Sequence, residues 1–423
     1  MKTNLTRREL LKLSGLTLGT VVASNALAPV DTALGASLGK DRQSSDSPQQ
    51  PEEPSFLPGE KLAENEMRIT FMGTCFIPRL KQEANSVFVE VGSGDSFIFD
   101  CGSGVTSKYV ACGVPYSRMD KIFLTHLHAD HASDLSFIYC FGPSTDRKTP
   151  LYVWGPSGDR PEEGTQFFCN KMKEMMKWHI ESFSFLPTGL AQGGDGYDIV
   201  VHECPYMTVG GTAYDRNGVK ITHFPAVHAR NGSISYKLEW NGLSMVFTGD
   251  TMPNKYVIDQ AKGVDVLIHE MTVPPEIWAT KMSGLQRGDP GYEFAVAYSK
   301  AVQNSSHTPQ LALGYILSKT KPRLGVATHF TANPENLKPA MEDIRYWYDG
   351  PVTIAVDLLV INVSKNQIRQ RRATVSDYAW YPVGKIYSEK ELAKPKYPSP
   401  TAQLNGELLA NIIPQDVYNR SRK

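Results

Sequence analysis

The sequence predicts an α/β fold whose strands deliver polar residues to one cleft. Three observations carry this reading. Four short apolar runs share one layout: Lys121 to His126, Leu243 to Asp250, Val264 to Glu270 and Arg323 to Phe330. Each is rich in β-branched or aromatic residues, has the length of a strand, and stops at or beside His or Asp. Helix-like stretches occur between such runs, as in "PQLALGYILSK" between His307 and His329. The composition is globular: 41% hydrophobic residues plus 34 glycines in 423 residues. Side chains at the ends of neighbouring strands converge, so four such ends predict a polar site along one sheet edge.

The same arithmetic excludes other classes. Lys+Arg and Asp+Glu are both 44, so the formal charge is zero. A protein that grips nucleic acid through bulk charge would be basic, because that binding depends on neutralising phosphates. Six cysteines are too few for a disulfide scaffold and lack Cys-x-x-Cys spacing. Most should be buried thiols. No apolar run is long enough to span a bilayer without polar interruption.

Along the chain, residues 1–28 read as an export signal. A charged segment around Arg7-Arg8 precedes a mildly apolar stretch and a small-x-small site at Ala26-Leu27-Ala28. The paired arginines resemble a twin-arginine signal, which implies a periplasmic or secreted protein. Residues 29–66 contain "DRQSSDSPQQPEEPS" and read as a flexible linker, too polar to offset its ordering entropy. Residues 67–387 form the main domain, and 388–423 a polar, Pro-rich tail that wraps the surface.

The strongest motif is His126-Leu127-His128-Ala129-Asp130-His131. His126 and His128 share a face in extended chain. Asp130 and His131 fall on the following turn. Imidazole and carboxylate are ordinary zinc ligands, and four in six residues is a specific signal.

This motif at the end of a strand resembles the signature of the metallo-β-lactamase superfamily, which implies a four-layer αββα sandwich. The resemblance extends to His228 in "FPAVHARNG", Asp250 in "FTGDT" and His329 in "VATHF". It implies two metal ions, zinc in the first instance, although the same set can hold iron or manganese. His126, His128, His228 and Asp250 would hold one; Asp130, His131, His329 and the shared Asp250 the other. "FMGTCFIPRL", "FIFDCGSGV", "HEMT" at 269–272 and "HTP" at 307–309 narrow the likeness to ribonuclease Z-like and arylsulfatase-like members. By that match His307 protonates the leaving group and Glu270 steadies it. The implied catalytic set is His307, Glu270 and Asp130. Asp100 has two readings, orienting a ligand histidine or capping a loop.

The resemblance therefore implies an exported dinuclear-metal hydrolase of small-molecule phosphodiester or sulfate esters, with a metal-held hydroxide as nucleophile. The alternative is a carboxyl-ester, lactone or β-lactam hydrolase on the same fold. Ribonuclease Z carries a long tRNA-gripping arm between the positions of His228 and Asp250. Here that interval holds a hairpin turning at Asn241-Gly242, so a nucleic-acid partner is not expected. Dimers are common in this branch, which makes a homodimer the implied assembly. The chain is instead long between His131 and His228. The insertion at about 132–227 has an apolar helical face at Phe168, Met172, Met175 and Met176, read first as a packed surface helix. A sharper reading makes it a lid that lends Trp154, Phe168 or Trp178 to the substrate. The stretch from Pro274 to Phe294 is a candidate second wall of the pocket.

Overall fold

The strand-forming alternation of the sequence builds two mixed sheets. In Met67–Gly73, Met67, Ile69 and Phe71 point to one face and Met72 to the other. Ser86–Val91 repeats this with Val87, Val89 and Val91 against Phe88. The computed structural model describes residues 55–183, 185–396 and 413–414. The export signal and most of the linker fall outside them.

The first sheet has nine strands. Their order is Ser55–Phe56, Ile368–Ala373, Leu359–Val363, Met67–Gly73, Ser86–Val91, Ser96–Phe99, Lys121–Phe123, Leu151–Pro156 and Ile199–Cys204. The second has seven, in the order Gly211–Arg216, Val219–Pro225, Ile234–Trp240, Leu243–Phe247, Val266–Glu270, Leu324–Thr328 and Val352–Ile354. In each sheet an antiparallel stretch passes into parallel strands joined by helical crossovers. The turn between Ile234–Trp240 and Leu243–Phe247 has Asn241 and Gly242 both at positive φ, 49° and 72°, as a two-residue hairpin requires.

The sheets face each other across an aromatic core that includes Phe97, Phe99, Phe123, Tyr236 and Phe247. Phe123 stacks on Trp154 with centroids 4.5 Å apart. Outside the first sheet, Tyr109, Leu135, Ile138 and Tyr139 bring helices onto its other face. Outside the second, Leu313, Ile316, Leu317 and Ile344 do the same. The result is the expected four-layer αββα metallo-β-lactamase sandwich.

Three sequence expectations change here. Residues 55–66, assigned to the flexible linker, are seated on the first sheet. Ser55–Phe56 pairs with Arg372 and Ala373, and the guanidiniums of Arg68 (4.8 Å) and Arg371 (5.2 Å) both lie over the Phe56 ring. Most of segment 132–227 is scaffold rather than insertion, because it supplies two strands to each sheet. Its helix Thr165–Met175 buries Cys169 and Met172 but leaves Met175 68% exposed. The ligand-bearing strands do not share one sheet: Leu243–Phe247, Val266–Glu270 and Leu324–Thr328 are neighbours, whereas Lys121–Phe123 lies in the facing sheet. All six cysteines are buried free thiols. Among the described residues, no helix is long and apolar enough to cross a membrane.

Candidate metal centre

The site lies where parallel strands of both sheets end. Asp100 follows Ser96–Phe99, His126 follows Lys121–Phe123, Asp250 follows Leu243–Phe247, Glu270 ends Val266–Glu270, and His329 follows Leu324–Thr328. The sheets approach closely at this point. A Cβ on Gly249 (φ 57°) would meet the Thr125 side chain at 2.5 Å, so the residue before Asp250 has to be glycine. Gly102 is constrained in the same way by the Asp130 carbonyl, 2.1 Å from its ideal Cβ position.

All seven sequence-predicted ligands converge. His126, His128, His228 and Asp250 form one group, and Asp130, His131, Asp250 and His329 a second, with ligand atoms inside each group within 4.8 Å of one another. Asp250 belongs to both. In the first group, His126 Nε2 lies 2.9 Å and His228 Nε2 3.2 Å from His128 Nδ1. Ring nitrogens crowded together in this way call for a proton or a cation among them. In the second, His131 Nε2 and Asp250 Oδ1 are 3.2 Å apart, yet both are buried without a hydrogen-bond partner. Buried polar atoms are rarely left so, and both face the space the group encloses. Three imidazoles with one carboxylate in the first group, and two imidazoles with two carboxylates in the second, are donor sets that fit zinc or a similar metal.

Hydrogen bonds fix how the ligands point. His131 Nδ1 donates to Asp100 Oδ2 at 2.7 Å, which leaves Nε2 facing the cluster. Asp100 also accepts from the Thr125 backbone N–H and hydroxyl, both at 2.8 Å. Of its two sequence readings, orienting a ligand is therefore what the geometry displays. His228 Nδ1 donates to the Ser306 carbonyl at 2.7 Å. Asp100 and His329 both sit at positive φ, 56° and 57°, a conformation unusual outside glycine that recurs at functional sites.

The charge pattern suits a cation. Burial pushes His126 well below the usual imidazole range and His228 down to about 4, so both are neutral and ready to ligate. Burial would raise Asp250, but His329, His131 and His126 around it hold it well below the usual carboxylate range. His131 is raised against its burial by Asp250 and Asp100.

His307 and Glu270 stand beside the shared ligand. His307 Nδ1 is 3.0 Å from Glu270 Oε2 and 3.8 Å from Asp250 Oδ2. Asp250, Glu270, His307 and His329 form a third close group. Glu270 is already engaged by the Thr251 N–H and by His307, which favours a proton relay there over a further metal. A cavity of about 300 Å³ opens onto the cluster. Phe76, Thr272, Val273, Trp278, Val302 and Gln303 line it with the ligands. Trp278 comes from the stretch named as a second wall.

The aromatic candidates of segment 132–227 do not reach this cavity. Trp154 is buried between the sheets, Phe168 packs against the first sheet's helix-side core, and Trp178 is 81% exposed. Their aromatic character served packing in two cases and neither purpose in the third. Sequence reasoning missed Thr125, Thr251 and the Ser306 carbonyl. Thr125 and Thr251 flank ligands, which is a usable signal. A backbone carbonyl leaves no mark in a sequence.

Residues 67–155 match the family described as anti-Pycsar protein Apyc1. A ribonuclease Z of Mycobacterium marinum is 30% identical over 208 residues, covering 48% of this chain and 70% of that protein. A ribonuclease Z of Methanosarcina acetivorans is 22% identical over 325 residues, covering 70% of this chain and 98% of that one. Among solved structures, the metallo-β-lactamase fold protein YhfI from Bacillus subtilis matches with a TM-score of 0.50 at 16% identity. That match covers 71% of this chain and 100% of the other.

Proposed function

The chain belongs to the ribonuclease Z-like family of metallo-β-lactamase-fold hydrolases, and from that premise we propose that it hydrolyses phosphodiester or sulfate ester bonds of a small molecule. The observation that carries this reading is the His307–Glu270 pair beside two ligand groups joined by Asp250. His126, His128, His228 and Asp250 would hold one metal and Asp130, His131, His329 and Asp250 the other. Bound there, two such metals would supply Lewis-acid chemistry, lowering the pKa of water and stabilising negative charge on the substrate.

The chain's own groups do the rest. Asp100 and Ser306 keep His131 and His228 turned toward the cluster. Glu270 accepts a hydrogen bond from His307 Nδ1–H, so Nε2 is the nitrogen left to hold a proton for a departing oxygen. In the metal-free protein burial would lower His307, but Glu270, Asp250 and Asp130 raise it to about 9. A carboxyl ester with a good leaving group has no need of such a donor; an alkyl phosphodiester does.

The interval from His228 to Asp250 is occupied by the hairpin of Ile234–Trp240 and Leu243–Phe247. With zero net charge, this supports a small-molecule substrate rather than tRNA. The Arg7-Arg8 signal supports export to the periplasm or beyond. Fractionation of cells expressing the wild type and an Arg7→Lys/Arg8→Lys variant tests it: equal export of both would overturn the twin-arginine route.

The chemistry is tested with zinc-loaded protein and three substrates: bis(4-nitrophenyl) phosphate, an aryl sulfate and an aryl carboxyl ester. Cleavage of the diester or sulfate that disappears in Asp250→Ala is the expected result. Cleavage of the carboxyl ester alone would overturn the reading.

A further inference from the structure

The cavity over the metal cluster has one apolar wall, and that wall is continuous with the proton donor. Val273 and Trp278 lie just beyond Glu270 in the chain; Val302 and Gln303 lie just before His307. Hydrogen bonds bind the two segments together. The Thr272 N–H donates to the Thr308 carbonyl at 3.0 Å and Gln303 Nε2 to the Val273 carbonyl at 2.8 Å; within the second segment the His307 N–H donates to the Gln303 carbonyl at 2.9 Å. Trp278 is half-buried and packs, with Ile277, against the core outside the second sheet, to which Val273 belongs. Its neighbour Ala279 packs with Tyr292 and Val296. The indole is therefore held in place.

Among the described residues lining the cavity there is neither lysine nor arginine. A second phosphate or a nucleic-acid backbone on this side would find no lysine or arginine to pair with. Burying such a charge unpaired is costly, whereas an aromatic or aliphatic group would replace water at a surface that is already apolar.

The geometry points to a substrate whose leaving group is an uncharged aromatic or aliphatic alcohol, seated on Val273, Trp278 and Val302 beside His307. This rests on the hydrolase reading above and narrows its substrate class. In the step concerned, water adds to phosphorus or sulfur and the bond to the leaving oxygen breaks. That oxygen takes a proton from His307 Nε2. The proton lost by the water restores the imidazole, so one water supplies the proton of the alcohol and the new hydroxyl of the acid.

The test varies the two ester groups separately. Methyl 4-nitrophenyl phosphate and phenyl 4-nitrophenyl phosphate share a leaving group and differ in the group that stays. Trp278→Ala should lower kcat/KM for both by the same factor, on the order of tenfold, the scale of a lost apolar pocket contact. Trp278→Phe should restore most of it, which separates a lost contact from a folding defect. A loss confined to the phenyl diester would overturn the assignment, because the wall would then hold the group that stays. A second arm does not depend on turnover: 4-nitrophenol binding to the metal-free protein by calorimetry. Weaker binding in Trp278→Ala, on the order of tenfold, supports the proposal, and unchanged or undetectable binding in both proteins overturns it. Inactivity of the wild type on all diesters and sulfates would count against the hydrolase reading, while the calorimetry still decides this one.

Discussion

Glu270 holds the His307 imidazole at 3.0 Å while accepting the Thr251 N–H at 2.6 Å. Thr251 directly follows Asp250, so one buried carboxylate ties the proton donor to the backbone of the ligand shared by both metal groups. The strand Val266–Glu270 runs parallel to Leu243–Phe247 and brings the two together. Position and tautomer of His307 are thus set by the sheet rather than by a mobile loop.

Replacing His307 with Ala should lower turnover by ~10²–10⁴-fold, the usual worth of a positioned acid. The loss should be greatest for alkyl leaving groups and least for 4-nitrophenyl. Metal content by elemental analysis should be unchanged, since His307 lies outside the two groups proposed to hold the metals and its Nδ1 is engaged by Glu270. Equal turnover of an alkyl ester by wild type and variant would remove His307 from the mechanism.

Asp100 is expected to act on metal affinity through His131. Asp100→Asn keeps the side-chain shape and suits the positive φ of 56°. It removes the charge that accepts the His131 Nδ1 proton. Metal affinity should fall ~10–100-fold, the range seen when such supporting partners are lost. Competition with a chelator of known affinity reads this directly; wild-type affinity would show that Asp100 caps its loop and does no more.

The ligands were legible in the sequence because ligand chemistry needs particular side chains at particular spacings. His126 to His131 is local, and Asp250 and His329 close runs with a strong strand pattern. The partition of strands between sheets was not legible: Lys121–Phe123 and Leu243–Phe247 read alike, and only long-range pairing separates them. Residues 55–66 looked unstructured because they are polar and Pro-containing. Their order comes from Phe56 under the guanidiniums of Arg68 and Arg371 and from Glu60 with Arg371, at 2.7 and 2.8 Å, where Arg371 is distant in sequence. Trp154 and Trp178 were equally plausible lid residues by type. Burial alone tells them apart.

That difference predicts opposite behaviour. Trp154→Ala should destabilise the protein by about 3–5 kcal/mol, the range for emptying a large aromatic site in a core. Trp178→Ala, at an exposed position, should stay within about 0.5 kcal/mol of wild type and leave kcat/KM unchanged. Urea denaturation with one substrate assay measures both. A large activity loss in Trp178→Ala with intact stability would revive the lid.

Asp357 gives the fold a pH dependence of its own. It accepts from the Thr74 hydroxyl at 2.8 Å and the Glu83 N–H at 2.7 Å, anchoring the loop that carries Phe76. Burial raises its carboxyl to about 6, against the lowering by these hydrogen bonds and by Lys108. The folded protein therefore holds this proton more tightly than the unfolded chain, whose carboxyl titrates near its ordinary value of about 4. Stability from this group is complete below pH ~4 and is lost as pH rises through about 6. Asp357→Asn cannot titrate and keeps the oxygen that accepts from Thr74. Between pH ~4 and 7 its stability should fall less steeply than that of the wild type. Denaturant midpoints across that range decide the matter; parallel pH profiles for the two proteins would place the proton elsewhere.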